Sequence, residues 1–88
     1  MTAPNPPRPL GTEGTKVWNA WCRRVDDRDR LLALCEAVDE RLFLRTKVLR
    51  GEVVPAERDG LRKLDREIEA ALTAVRKDAQ WRAYARRR

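Results

Sequence analysis

The sequence predicts an all-α protein: a short N-terminal helix, then a long antiparallel helical hairpin, assembling into an oligomer. Three observations carry this expectation. From Trp18 onward, apolar residues recur at spacings of three and four, the period of a helix with one buried side. After Gly14 the only helix-breaking residues are Gly51, Pro55 and Gly60, which divide the chain at one place. Finally, 39% of the 88 residues are charged and only 6% aromatic, and 11 of the apolar residues are alanines. A chain this short and this polar has a thin core, so partner subunits are the expected source of further buried surface.

Residues 1–12 hold four of the five prolines and show no apolar periodicity, which marks an extended or disordered arm. The first helix is expected from about Glu13 to Val25, with Trp18, Trp21, Cys22 and Val25 on one side. Those tryptophans serve either as a packed apolar face or as a surface for bases or a partner. The run VDDRDR at 25–30 is a boundary, with an aspartate as N-cap and further acid suited to the helix dipole. Three clustered acids also raise a metal-dependent nuclease. That option is set aside because no second carboxylate cluster and no histidine accompanies them.

The second helix is expected over Arg28–Arg50. Leu31, Leu34, Cys35, Val38, Leu42 and Leu49 form its main stripe. Leu32 and Phe43 lie to one side, and Ala33, Ala37, Leu44 and Val48 to the other. An apolar surface this wide should meet more than one neighbour. Leu32, Ala33, Ala37, Phe43, Leu44 and Val48 are therefore the candidate oligomer interface. Gly51 suits the helix end and Pro55 the first turn of the next helix. The third helix should present Leu61, Leu64, Ile68, Ala71, Leu72, Val75 and Ala79 to the second, with fraying before Leu61 because of Gly60. Residues 13–79 thus make a helical oligomerisation domain and residues 80–88 a basic aromatic tail.

The formal net charge is +6, and residues 76–88 contribute six basic groups against one acid. Lys77, Trp81, Tyr84 and Arg88 share a side of a continued helix, roughly opposite its core stripe. Aromatics interleaved with cations suit phosphate neutralisation and base or sugar contact, or docking on an acidic protein surface. The candidate DNA-binding residues are Arg76, Lys77, Trp81, Arg82, Tyr84, Arg86, Arg87 and Arg88. Arg86 would fall on the core side of a persisting helix, so the helix is expected to leave the bundle before it.

No catalytic residue, metal site or cofactor is expected. Histidine is absent, there is no glycine-rich phosphate loop, and two cysteines fall short of a metal ligand set. Cys22 and Cys35 are expected as free buried thiols. Without an apolar leader or a run near ~18 residues, no membrane partner is expected.

The lead PRPLGTEGTKVW followed by LLALCEAVDE resembles the small terminase subunits of tailed bacteriophages. Leu10, Gly11, Gly14, Trp18, Leu31, Leu34, Cys35 and Asp39 carry the resemblance, which covers roughly residues 8–75. It implies a non-enzymatic viral DNA-recognition and packaging component in the host cytoplasm. Such a subunit forms a ring on a helical-hairpin core, binds double-stranded DNA and presents the genome to the large terminase subunit, which holds the ATPase and nuclease. The chain departs from larger members in leaving no room for a separate helix-turn-helix domain, which moves the expected DNA contact onto the tail and arm. The alternatives are a stand-alone small DNA-binding regulatory protein and an adaptor that binds only protein.

Overall fold

A computed structural model describes residues 5–52 and 54–86. Among these residues the chain is all-helical, with α1 at Thr12–Trp21, α2 at Arg28–Leu49, α3 at Pro55–Arg86 and no strand. The Cα radius of gyration is 14.9 Å, within extents of 52 × 25 × 17 Å. A spherical domain of this length would have a radius near ~12 Å. The molecule is therefore a rod with a thin core. The candidate residues Arg87 and Arg88 lie outside the described residues.

The start of α1 shows why two glycines open it. Gly11 is the N-cap, and it has no side chain to accept the free N–H groups of the first turn. Asp39, from the middle of α2, supplies that function. Its Oδ2 accepts from the Gly11 N–H at 2.7 Å and its Oδ1 from the Gly14 N–H at 2.8 Å. In a capping box two side chains of one helix share this work; here a single carboxylate from a neighbouring helix performs both halves. The geometry requires glycine. A Cβ at Gly14 would lie 2.2 Å from Asp39 Oδ2 and 2.8 Å from the Cys35 carbonyl oxygen.

Below this clasp, α1 packs on α2 through Trp18, which is 1% exposed beside Leu31, Leu34 and Cys35. The expected apolar side of the first helix is thus core. The helix itself ends at Trp21, and Cys22 and Val25 reach the core from the turn that follows. Both cysteines are free and buried. Burial pushes the Cys35 thiol up to about 12, and the nearby Asp39 carboxylate adds to the rise. Of the expected arm, residues 5–10 are not helical, but Leu10 packs against the core and Arg8 pairs with Glu36.

Asp27 caps α2 as its sequence position predicts, its carboxylate accepting from the Arg30 N–H at 3.0 Å. Gly51, at φ 72°, closes the far end of α2 in the left-handed conformation that favours glycine. α3 meets α2 through Leu64, Ile68, Val75 and Ala79 in the core and through ion pairs on the flank. Asp65 lies 3.6 Å from Arg41 and 3.5 Å from Arg45, and Lys47 lies 3.0 Å from Glu57. Fraying before Leu61 is not observed; α3 is helical from Pro55. Glu57 accounts for this, accepting from the Val54 N–H at 3.4 Å and from Lys47. The Lys47 hydrogen bond, then the Val54 one, lower its pKa.

The two ends of α2 differ. Because the clasp sets the start of α1 at the level of Asp39, nothing from α1 covers the later turns of α2. Leu42 and Leu49, expected in the main stripe, are accordingly exposed, Leu49 at 88%. Leu32, expected on an interface flank, is instead buried at 4% in the chain's own core, where α1 and α3 both reach.

Gly14→Ala should lower stability by about 1–3 kcal/mol through overpacking against Asp39 and the Cys35 carbonyl. Gly60→Ala has nothing within 4 Å of the new Cβ. It should raise stability by about 1 kcal/mol by removing a helix-interior glycine. Thermal melts that show the same sign for both would contradict the clasp geometry.

Candidate nucleic-acid interface

The C-terminal half of α3 has sides with different work. The inward side is structural. Asp78 accepts from the Asp26 N–H at 3.0 and 3.2 Å and from the Asp27 N–H at 3.0 Å, holding the turn that opens α2. One helical turn further on, Arg82 donates to the Arg23 carbonyl at 2.5 Å and the Val25 carbonyl at 3.3 Å, and pairs with Asp26 at 3.5 Å. Positions i and i+4 share a helix side, so one acid and one base grip the donors and acceptors of a single loop. Arg28 Nε adds a bond to the Cys22 carbonyl at 3.2 Å. The candidate Arg82 is thereby occupied in folding. The helix also runs on through Arg86 instead of leaving the body earlier, because this grip anchors its last turns.

The outward side carries the aromatics. Trp81 and Tyr84 are 66% and 54% exposed. Their rings stack with centroids 5.8 Å apart at an interplanar angle of 29°. Lys77, Gln80, Trp81 and Tyr84 line a shallow, mainly apolar depression. Arg76 is exposed on another flank, beside Arg66, Glu69 and Thr73. The described candidates thus divide among three sides of the helix: Lys77, Trp81 and Tyr84 come together on one, Arg82 and Arg86 on a second, and Arg76 stands on the third.

Comparison with protein-family models, curated proteins and solved structures gives no match.

A third feature escaped the sequence reading. Arg23 and Arg24, from the turn after α1, meet Arg82 and Arg86 around an open depression of about 290 Å³, floored by Ala79 and Ala83. The Arg24 guanidinium lies 4.6 Å from the Trp21 ring centroid, a cation–π contact that fixes its position. No periodic pattern links positions 23 and 86. The available signal was the pair of adjacent arginines in a turn, next to a cationic helix end.

At the other end of the rod, Leu42, Phe43, Val48, Leu49 and Val54 are exposed. Of the candidate interface residues, Phe43 is open at 62% with Lys47 Nζ 5.1 Å from its ring centroid, Val48 is partly open, and Ala33 is exposed. Ala37 and Leu44 are half-buried against the core. Among the described residues no group of three or more His, Cys, Asp or Glu is placed to hold a metal ion. No described helix is long and apolar enough to cross a membrane.

Asp78→Ala and Arg82→Ala should each lower the melting temperature, because the charge-assisted hydrogen bonds that tie the 23–27 turn to α3 are lost. Lys77→Ala, on the outward side, should leave it unchanged. Equal melting of all three would show that the grip on residues 23–27 does not support the fold.

Proposed function

We propose that the chain is a non-enzymatic DNA-recognition and assembly subunit of the small-terminase type. In this reading α2 and α3 form an antiparallel hairpin whose apolar end multimerises, into a ring, while the C-terminal part of α3 contacts double-stranded DNA. The assembly would mark a viral genome and present it to the large terminase subunit. The observation that carries the DNA reading is the exposed Trp81–Tyr84 stack beside Lys77. Two large rings left in water on an ordered helix are a costly surface unless a partner covers them. Their flat faces suit bases and sugars, and the cations around them suit phosphates.

Assembly is supported by the bare apolar residues at the α2–α3 end, which form a patch distant from the cationic one. The resemblance to small terminase subunits adds support of another kind. Its positions Leu10, Gly11, Gly14, Trp18, Leu31, Leu34, Cys35 and Asp39 all gather at the α1–α2 joint, as clasp or as core. They form one structural unit of this chain.

A second reading is a stand-alone DNA-binding regulatory protein. The closed core around Trp18 and Leu34 favours it, since one chain buries these residues without help.

Duplex DNA should bind with a log affinity that falls linearly with log salt, at about −0.9 per phosphate contacted. Replacing Trp81 and Tyr84 together by alanine should cost about 1 kcal/mol or more of affinity and keep that slope, because ring contacts depend little on salt. An unchanged affinity would remove the aromatic side from the interface. For assembly, light scattering should find a multimer for the intact chain and a smaller mass for Phe43→Asp or Leu49→Asp. A wild-type mass in both variants would place the contact elsewhere, and a monomeric wild type would favour the regulatory reading.

A further inference from the structure

The arginine depression lies on a different side of α3 from the aromatic pair, and its composition points to a ligand. Four arginines, Arg23, Arg24, Arg82 and Arg86, line it together with two alanines, and no carboxylate is among its lining residues. A lining made of cationic and small apolar residues favours an anion over a cation or a neutral ligand. Arg82 is the fixed wall, held by the Arg23 and Val25 carbonyls and by Asp26. Arg24 is positioned over Trp21. Arg86 is exposed in the last turn of α3, where the negative end of the helix dipole favours a cation. Two segments some sixty residues apart in sequence therefore build one concave cationic seat, with small side chains leaving room at its floor.

We propose that this depression seats a backbone phosphodiester of bound nucleic acid. The proposal rests on the DNA reading above and adds a second contact point to it. The bound strand would touch α3 on two sides, with rings on the Trp81–Tyr84 side and a phosphate between Arg24 and Arg86. Guanidinium groups suit this role because their planar N–H forks match phosphate oxygens, two at a time. The volume of about 290 Å³ admits a phosphate with part of its sugars, and the opening leaves the strand free to continue on both sides. An acidic peptide has the same sign of charge but would be held by carboxylates, and its binding is an outcome of the test.

The experiment compares intact protein with the double variant Arg24→Gln/Arg86→Gln in titrations of a short mixed-sequence duplex across a salt series. Arg82 is left in place because it supports the fold. Losing one or two phosphate contacts should make the log–log slope shallower by about 1–2 units. Arg24→Lys/Arg86→Lys should restore most of the slope, since the charge that displaces counterions returns. If the double glutamine variant melts early through loss of the Trp21 contact, Arg86→Gln alone should still flatten the slope by about 1 unit. Should the glutamine variants keep the wild-type slope while Trp81→Ala/Tyr84→Ala weakens binding, the phosphate seat is wrong and the DNA reading stands. Should the intact chain show no salt-dependent DNA binding, or bind only an acidic peptide, both are overturned.

Discussion

The three helices are held in place by carboxylates that reach backbone N–H groups across the fold. Asp39 of α2 takes the free donors that open α1, and Asp78 of α3 takes those at the turn that opens α2. A hydrogen bond with an ionised acceptor is stronger than a neutral one, and a negative charge at a helix start also meets the favourable end of its dipole. In a thin rod with few large side chains, such contacts supply what apolar packing alone would leave undetermined. They fix where each helix begins relative to the next. Trp18, Leu31, Leu34 and Val75 then fill the space that the clasps define.

These contacts also explain how the surfaces divide. The grip of Asp78 and Arg82 on residues 23–27 brings the loop arginines up to the end of α3 and turns Trp81 and Tyr84 outward. Charge counting alone treats the C-terminal segment as a detachable tail. In the folded chain its inward side is part of the body, so folding and recognition occupy different sides of the same turns. The flank ion pairs of Asp65 with Arg41 and Arg45 add little by comparison, being long and open to water on one side.

The helices themselves were legible. Apolar spacing located all three, and Asp27, Gly51 and Pro55 marked boundaries because capping and turn chemistry are local. Contacts between helices were not. Asp39 sits mid-helix, where an aspartate reads as solvated surface, and Asp78 and Arg82 sit in a run whose net charge suggests binding. The hint lay in Gly11 and Gly14: a helix that opens on two glycines without a capping side chain must find its acceptor elsewhere. Leu42 and Leu49 were misplaced for a related reason. Periodicity reports which side of a helix is apolar, but not how far along that side a neighbour extends. For the candidate site, Lys77, Trp81 and Tyr84 follow from helical spacing, while Arg23 and Arg24 join it only through the path of the chain.

The clasp at Asp39 also acts as a ruler. It sets how far α1 can extend along α2, and so how many turns of α2 and α3 are left without a third layer. A carboxylate placed one turn later on α2, with one turn more at the start of α1, would convert Leu42 and Phe43 from open surface into ordinary interior. One placed a turn earlier would bare more of the rod. The balance between a self-sufficient chain and one that needs company is thus adjustable by the address of a single acid, with the rest of the core left as it is.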